Sequence, residues 1–327
     1  MNRIRSWILP VLALIVFAVI PFTASFYYQQ IFFYIFLFAG VGFAWNLVGG
    51  YAGQLSLGHA AFFGIGAYTY ALLAQHIGVW PALLAAAVLS TVSAAPIGLI
   101  CFRLRGPYFA LATIAVAQLL LVLATNQFKD LTQGAAGLLV QGMVSDPSLY
   151  YWVALGFMIL AFAITALLAT SKTGYYLMAI REDEDTAQTV TINTPLYKLY
   201  ALLVSALLTG VGGAIFAANL GTIQPNDVFS GAISNQVVFL SILGGTGTLF
   251  GPLVGAVILE FASDWLKNAL TGVAWLGDPN AFAFFLYGLL IVLVVMFMPA
   301  GIVGTLTKWW KGRVARVQSQ RTTAAGV

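Results

Sequence analysis

Long apolar runs recur along the whole chain and constrain its fold more than any other feature. There are about ten of them, each close to the roughly 20 residues that a helix needs to cross the core of a bilayer. Charged residues make up only 7% of the sequence and the mean hydropathy is +0.94, so there is too little polar surface to solvate a globular domain. The runs cover residues 7–23, 31–48, 58–76, 80–101, 107–124, 149–170, 198–219, 230–246, 249–267 and 281–299.

These runs are predicted to be helices rather than the strands of a barrel. A barrel strand needs only about 10 residues and alternates polar with apolar side chains, and no such alternation is present. The sequence therefore predicts an all-α integral membrane protein, a polytopic bundle of about ten transmembrane helices. The transmembrane domain is predicted at residues 1–310, followed by a flexible cytoplasmic tail at 311–327.

The first run also resembles a signal peptide. Arg3 and Arg5 precede its apolar core, and the small residues Thr23, Ala24 and Ser25 follow it. We predict a retained transmembrane helix here. Removal of the segment would leave the topology of the later helices unchanged.

Basic residues indicate the orientation, because short loops rich in Lys and Arg stay on the cytoplasmic side of a membrane. A cytoplasmic N-terminus places every Lys and Arg except Lys129 and Lys267 on that side. The C-terminus is then also cytoplasmic, and the net charge of +4 is mainly an orientation signal. A nucleic-acid-binding surface is the rival interpretation, and the spread of the basic residues over several loops argues against it.

The longest cytoplasmic segment between spans, residues 171–198, differs from the other loops. Residues 175–190 favour a helix, and the Asn-Thr-Pro sequence at 193–195 ends it before the next span. Apolar side chains alternate there with a charge cluster at 181–185. This pattern is typical of a short amphipathic helix that inserts into a groove on a partner, and a solvated connecting loop is the alternative.

No catalytic or metal site is predicted. His59 and His76 are not at the spacing of metal ligands, and Cys101, the single cysteine, has no neighbouring Cys or His. No segment fits the phosphate-binding pattern GxxxxGK[ST], although Lys172 and Thr173 match its last two letters. We therefore predict no cofactor in this chain and no ATPase activity of its own.

Ionisable residues inside spans would indicate ion-driven transport, because they are costly in a bilayer and rare without a function. Glu260 is nearly the only one here, and its simplest interpretation is a position near the outer end of a helix, close to Asp264 and Lys267. A self-sufficient, ion-coupled carrier of a small solute stays open as an alternative function. A membrane scaffold that transports nothing is a third class.

The glycine-rich stretch GGYAGQLSLG at residues 49–58 separates two apolar runs. It predicts a helix break, and unwound backbone in a membrane must be buried in protein or line a wet cavity. Such breaks often form substrate sites in transporters, so Gln54, Ser56 and His59 are candidates for the translocation pathway. A tight cytoplasmic turn, with His59 satisfied inside the bundle, is the alternative.

A short internal repeat accompanies this break. Residues 44–60, AWNLVGGYAGQLSLGHA, and residues 217–232, AANLGTIQPNDVFSGA, both follow a helix with Asn-Leu and then break. An odd number of predicted spans separates them, which would invert the second copy as in inverted-repeat transporters. The match is short, and a chance similarity is the alternative.

Three segments together resemble a known family. They are NLVGGYAGQLSLGHAAFFGIGAYTYALL at 46–73, AIREDEDTAQTVTINTPLYKLYAL at 179–202 and LGGTGTLFGPLVGA at 243–256. In order and spacing they are similar to the signature regions of the LivM-type permease of branched-chain amino acid ABC importers. The resemblance spans most of the chain.

This resemblance implies a multi-pass subunit of a bacterial inner membrane that carries branched-chain amino acids or a related small polar solute. The implied partners are a homologous LivH-type permease, two cytoplasmic ATPase subunits that bind ATP and Mg, and a periplasmic or extracellular solute-binding protein. Relatives that move urea, amides or small carboxylates resemble one another, so the solute itself is left open. Much of the selectivity is expected to lie in the binding protein.

The resemblance also gives the cytoplasmic loop a role, because a family helix at this place engages an ATPase. The residues expected to do so here are Tyr176, Leu177, Ile180, Arg181, Glu182, Asp183, Glu184 and Asn193. The apolar members would anchor the helix in the partner, and the charged members would set its register. The family commonly has Gly before the Ile-Asn pair, whereas this chain has Thr191, which predicts a reshaped turn.

Overall fold

Helices form nearly all of the regular structure in the described part of the chain. The computed structural model describes residues 25–270 and 301–307, together with Phe17, Pro21, Gly288, Leu289, Val292 and Met296. The predicted spans at 7–23 and 281–299 lie outside the described residues except at those single positions. The predicted tail at 311–327 also lies outside them.

The predicted runs that fall within the described residues are all helices, with ends shifted by a few residues. In chain order the helices are α1 (Phe26–Asn46), α2 (His59–Ile77), α3 (Val79–Cys101), α4 (Pro107–Val122), α5 (Lys129–Thr132), α6 (Leu149–Ala169), α7 (Lys172–Glu182), α8 (Glu184–Thr189), α9 (Thr194–Leu220), α10 (Pro225–Phe229), α11 (Gly231–Gly244) and α12 (Gly251–Leu270). Two π-helical turns, Leu47–Tyr51 and Leu123–Gln127, extend α1 and α4, and a 3₁₀ turn covers Gly134–Ala136.

Two short strands complete the regular structure. Strand β1 (Leu138–Leu139) pairs antiparallel with β2 (Thr222–Ile223), with Leu138 opposite Ile223. Within the described residues, 6 helical segments are long and apolar enough to cross a membrane. They cover Phe26–Tyr51, Val79–Cys101, Pro107–Gln127, Leu149–Ala169, Thr194–Leu220 and Pro225–Gly244. The chain is therefore an all-α, multi-pass membrane protein.

Helices α1 and α9 form the centre of the bundle. In their most apolar stretches 89% and 78% of the residues are buried inside the protein, against 28% in α3 and in α4. The small residues of α9 allow this close packing, because Gly213 lets its backbone approach α2 and Gly210 lets it approach α3. The outward faces of α3 and α4 are apolar and exposed, as expected for helices whose outer surface meets lipid or another subunit.

The connecting segments lie at two opposite ends of the bundle, which we call the Arg181 end and the strand end. Arg105, after α3, forms an ion pair with Asp185 of α8, with Nη1 and Oδ1 2.9 Å apart, so the two loops predicted to be cytoplasmic share one end. The β1–β2 pair joins the segments after α4 and after α9 at the other end. The Arg181 end comprises 47–58, 102–106, 171–193 and 245–250, and the strand end comprises 128–148 and 221–230.

The 171–198 loop contains two helices rather than the single helix predicted over 175–190. Asp183 lies between α7 and α8 in an extended conformation, and its Oδ1 accepts a hydrogen bond from Thr186 N at 2.9 Å. An Asp side chain competes with the helical backbone in this way and starts a new helix. Asn193 then caps α9 by accepting from Leu196 N at 3.2 Å, and Pro195 occupies the first turn.

The turn at Thr191 does not have the reshaped geometry that was predicted from the replacement of Gly by Thr. The turn expected to be reshaped is a tight left-handed one, in which Thr191 has φ +66 and its N–H donates to Gln188 O at 3.1 Å. This is how a helix commonly ends, but the left-handed position is usually taken by Gly because a β-branched side chain is strained there. The chain therefore keeps the turn and carries the strain of the Thr side chain.

Candidate functional site

Helical structure is interrupted after α1, as both alternatives for the glycine-rich stretch predict, and the interruption lies with the connecting loops of the Arg181 end. The last turn of α1 widens into the π-helical turn, where Ala52 N donates to Leu47 O at 3.1 Å and Gln54 N to Val48 O at 2.9 Å. Residues 53–58 then run without helical structure until α2 begins at His59. A widened last turn leaves backbone carbonyls at the end of the helix without their usual partners.

The candidate pathway residues lie on two sides of α2. Gln54 is half-buried and lines a cleft of about 490 Å³ at the Arg181 end. Ser56 is buried and lines a small cavity of about 10 Å³, and its carbonyl accepts from Trp45 Nε1 at 2.7 Å. His59 points the other way, into the packed centre, where its Nε2 lies 2.9 Å from Ser205 Oγ on α9. Gln54 and Ser56 thus line two different cavities, and His59 lines neither of them.

Three cavities follow one another along the groove between α2 and α4. The cleft at the Arg181 end lies between the break and the first turns of α4, including Ala110 and Ile114. The small cavity lies deeper, between Phe62 of α2 and Thr113 of α4, and Cys101 of α3 and Leu202 of α9 also line it. A third, apolar cleft of about 350 Å³ lies toward the strand end, and its walls include Tyr68, Leu120 and Phe229. A groove with cavities at intervals from end to end is a feature that the sequence did not indicate.

The apolar residues expected to anchor the loop in a partner face this chain's own bundle. Leu177 and Ile180 are each 2% exposed, and Leu177 belongs to an apolar cluster with the end of α1 and the start of α9. Tyr176 packs edge-on against Tyr197, with ring centroids 4.9 Å apart. The reason is that α7 lies along the surface of the bundle, so the end of α1 and the start of α9 cover its apolar face. Leu177 and Ile180 therefore hold α7 in place, which corrects their predicted role as exposed anchors.

The charged residues of the loop divide into an outward group and an inward group. Glu182, Asp183 and Asp185 are exposed. Glu184 turns inward and pairs with Lys198, whose side chain is 1% exposed, with Oε2 and Nζ 2.5 Å apart. This buried pair fixes α8 to the first turn of α9, because either charge alone would be costly to bury.

Asp183 is ionised well below neutral pH. Hydrogen bonds from the backbone and side chain of Thr186 lower the pKa of its carboxyl below the usual value. Because the folded pKa is the lower one, the cap stabilises α8 above the unfolded pKa and is lost as the pH falls through the folded value. At neutral pH Asp183 is therefore both a helix cap and a negative charge at the Arg181 end.

Arg181 reaches across to the helix break. Its Nη1 donates a hydrogen bond to Gly50 O at 2.8 Å, which supplies a partner for one of the carbonyls freed at the end of α1. Its side-chain stem lies on Gly53, and its guanidinium lies beside Gly247. The three segments that resemble the family signatures thus meet at one side chain, although the sequence had assigned Arg181 to an outward contact.

Asn46 and Lys198 make buried polar contacts at the Arg181 end that the sequence analysis did not predict. Asn46 is fully buried, its Nδ2 donates to Thr248 O at 2.9 Å and its Oδ1 accepts from Gly247 N at 2.8 Å. A signal was available in the sequence, because an amide or an ammonium at the end of an apolar run must find a buried partner. In the described part of the chain, no group of three or more His, Cys, Asp and Glu side chains could hold a metal ion.

These features together define a membrane permease: a polytopic helical bundle with a broken helix beside internal cavities and a charged helical loop at one end. The family described as the permease component of branched-chain amino acid transport systems matches residues 27–296. The match covers most of the chain, so the chain belongs to this permease family, and its function is that of the membrane subunit of a transport system.

Curated relatives agree with the family match. The chain is 28% identical to the high-affinity branched-chain amino acid transport system permease protein LivM of Salmonella typhimurium strain LT2 over 300 residues, which are 82% of this chain and 67% of that protein. The same figures hold for LivM of Escherichia coli strain K12. LivH of Escherichia coli strain K12 is 29% identical over 143 residues, 43% of each protein. No solved structure matches this chain significantly.

Proposed function

We propose that this chain is the LivM-type permease subunit of an ATP-binding cassette importer for branched-chain amino acids or a related small polar solute. It works in a bacterial inner membrane beside a homologous LivH-type permease. Two cytoplasmic ATPase subunits bind ATP and Mg and supply the energy, and a periplasmic or extracellular binding protein delivers the solute. The relatives named LivM and LivH support this assignment, since both are permease proteins of branched-chain amino acid transport.

The construction of the α7–α8 loop carries the proposal. One side of the loop is fixed to the bundle by Leu177, Ile180 and the Glu184–Lys198 pair, and the other side presents Glu182 and Asp185 to solvent. A rigid loop with an exposed charged face is suited to transmit force, because a partner that moves it must also move the helices behind it. A solvated connector needs no such anchoring.

The full chain then has about ten transmembrane helices, with the Arg181 end and both termini in the cytoplasm. The charge pattern supports this orientation, since Arg103, Arg105, Lys172 and Arg181 all belong to the Arg181 end. The 171–198 loop is the cytoplasmic coupling loop, and residues 311–327 are a cytoplasmic tail. The strand end faces the solute-binding protein.

The solute path follows the groove between α2 and α4. Gln54 and Ser56 line it near the Arg181 end, and the apolar cleft with Tyr68 and Phe229 lines it near the strand end. His59 borders the path from behind, through its contact with Ser205 in the packed centre. The sister permease covers the open side of the groove, where α4 exposes Leu111 and Leu119.

A charge reversal at Glu182 tests the coupling role. Glu182 is the suitable carboxylate, because Asp183 caps α8, Glu184 is paired with Lys198 and Asp185 with Arg105. We expect Glu182→Lys to weaken the binding of the ATPase subunits about tenfold and to lower solute-stimulated ATP hydrolysis with it, since like charges are costly at an interface. Asp130→Lys, an exposed reversal at the strand end, is the matched control for ATPase binding.

The alternatives give different results. Glu182→Lys that binds the ATPase subunits and transports as the unaltered chain does would show that the loop is a passive connector. Gradient-driven uptake by the chain alone in proteoliposomes would favour the ion-coupled carrier, although Glu260 is already engaged by Gln236 Nε2 at 2.6 Å. Unchanged solute uptake in cells that lack the chain would favour a scaffold.

A further inference from the structure

We propose that Arg181 is an internal tie that makes the coupling loop, the helix break and the 245–250 loop move as one unit. The proposal rests on the proposed function, because it names the contact through which a movement of α7–α8 would reach the transmembrane helices. It differs from the role expected of Arg181 from sequence, which was a contact with the ATPase itself. Arg181 acts as a positioning residue in this view and touches no solute.

The hydrogen bond to Gly50 joins α7 to the end of α1. A helix that ends in a widened turn leaves carbonyls exposed and carries partial negative charge at its C-terminus, so a guanidinium is favoured there. The donor–acceptor distance of 2.8 Å from Nη1 to Gly50 O is that of a charge-assisted bond. The bond therefore couples the position of α7 to the place where α1 gives way to the break.

Two glycines let Arg181 pass between the break and the 245–250 loop. Gly53 has φ +68 and Gly247 has φ +73, and a Cβ on Gly53 would lie 2.8 Å from Arg181 Cγ. A Cβ on Gly247 would collide with Arg181 Nη1. Both positions need Gly for its left-handed backbone and for the space it leaves. The Arg181 side chain thus contacts backbone from two segments that are far apart in sequence and stays exposed on its remaining side.

Asn46 extends the tie into α12. Its side chain bonds both Gly247 N and Thr248 O, and Thr248 Oγ1 accepts from Gly251 N at 3.1 Å at the start of α12. Gly50, Asn46 and the 245–250 loop therefore form one hydrogen-bonded junction, on which Arg181 lies. Arg181 also keeps exposed surface, so a subunit docked on the loop can reach the residue that holds the junction.

The other basic contacts at this end are built differently. Arg105 and Asp185 form an exposed pair, with side chains 58% and 75% accessible, and such pairs contribute little. Lys198 and Glu184 join α8 to α9 alone. Arg181 is distinguished because it reaches two further segments at once, with a hydrogen bond to Gly50 O and a close packing contact on Gly247.

The test uses the complete importer reconstituted with its partner subunits, with Arg181→Ala, Arg181→Lys and the control Arg105→Ala. We expect Arg181→Ala to assemble and to keep basal ATP hydrolysis, while solute-stimulated hydrolysis and uptake per assembled complex fall at least about fivefold, the lower range of coupling effects. Arg181→Lys keeps a charged donor for Gly50 O and should recover part of the coupling. Arg105→Ala should match the unaltered complex.

The outcomes separate the inference from the proposed function. An unaltered complex without solute-stimulated hydrolysis would contradict the proposed function itself. A coupled unaltered complex with equal coupling in Arg181→Ala would overturn the inference alone. If Arg181→Ala does not assemble, Arg181→Gln takes its place, because it keeps part of the side-chain stem and removes the charged donor to Gly50 O. Reduced coupling in that assembled variant supports the tie, and full coupling overturns it.

Discussion

Two largely buried helices, α1 and α9, both end in a break, and the breaks lie at opposite ends of the bundle. After α1 the chain passes through the π-helical turn and the non-helical residues 53–58 into α2. After α9 it turns at Gly221, forms β2 and passes through the short α10 into α11. The two segments correspond to the short repeat in the sequence, and their placement at opposite ends is what an inverted repeat predicts.

The breaks differ in what holds them. The first is held by side chains, since Arg181 and Asn46 make the bonds to Gly50 and to the 245–250 loop. The second is held mainly by backbone, through the β1–β2 pair and the bond from Val140 N to Gly221 O at 2.8 Å. A single substitution can remove a side-chain bond, whereas a backbone ladder keeps its register when one side chain is changed. The first break is therefore the one that substitutions can loosen, and we call it the adjustable break.

Among substitutions that distinguish the two breaks, we expect Asn46→Ala to have the largest effect on stability and coupling. The change leaves Gly247 N and Thr248 O without their partner in a partly buried region, at a cost of about 2 kcal/mol in the free energy of unfolding. Because the lost bonds belong to the adjustable break, solute-stimulated ATP hydrolysis should fall together with the melting temperature of the assembled importer. Both are measured on the same purified complex.

Tyr150→Phe is the matched control at the second break. The Tyr150 hydroxyl also makes two bonds, donating to Ala218 O at 2.8 Å and accepting from Met143 N at 2.9 Å. Its loss should lower the melting temperature and leave the stimulation of hydrolysis per complex unchanged. Equal loss of stimulation in the two variants would mean that the breaks do not differ in function.

Much of the fold could be predicted from the sequence, because apolar length and helix punctuation are local signals. The runs within the described residues are helices, and the break at GGYAGQLSLG is present. The division of 175–190 at Asp183 was missed, since an Asp within a helical pattern can face solvent as well as cap a new helix. The left-handed turn at Thr191 was missed because local strain is tolerated when the surroundings fix the turn.

The candidate site was less predictable, because its contacts join distant segments. Whether Leu177 faces a partner or its own bundle depends on where α7 lies, which α1 and α9 decide. The direction of Arg181 depends on the freed carbonyl of Gly50, 131 positions away in sequence. The alternative noted for His59, satisfaction inside the bundle, fits only its Nε2, which contacts Ser205, because its Nδ1 is buried with no hydrogen-bond partner among the described residues. Sequence patterns identify such residues as polar in an apolar setting and leave their partners open.

We expect an intermediate effect, a change in the rate of thiol modification, at cysteines introduced along the groove that joins the two breaks. In a Cys101→Ala background, Ile114→Cys lies in the cleft beside the first break, and Leu120→Cys lies in the cleft beside the second. If solute passes between α2 and α4, a small water-soluble thiol reagent should modify both cysteines in the assembled importer. Bound solute should slow the modification severalfold, measured by mass spectrometry.

Val122→Cys is the control for this experiment. Val122 lies on the same helix, is 53% exposed and is not part of either cleft, so it is expected to face lipid. Modification of Val122→Cys at the rate of the groove positions would place the path elsewhere. Protection by solute at Leu120→Cys and not at Ile114→Cys would restrict the solute to the side of the second break.

The smallest effect concerns the helix ends themselves, where the two regions use different residues for the same left-handed turn. Gly221 ends α9 at φ +73, whereas Thr191 ends α8 at φ +66. A left-handed conformation costs a residue with a Cβ about 1–2 kcal/mol, and replacing it by Gly removes this cost. Gly is also more flexible in the unfolded chain, which offsets about 0.5–1 kcal/mol of the stabilisation. Thr191→Gly should therefore stabilise the protein by roughly 0.5–1 kcal/mol, seen as a small rise in melting temperature, with coupling unchanged because Thr191 makes no contact with the junction around Arg181. Thr189→Gly is the matched control: Thr189 is the last residue of α8 and its φ is not positive, so Gly relieves no strain there and should destabilise by adding freedom to the unfolded chain. A lower melting temperature for Thr191→Gly would show that the turn is not strained, and that the Thr hydroxyl, which bonds Val190 O at 2.7 Å, contributes more than the backbone costs.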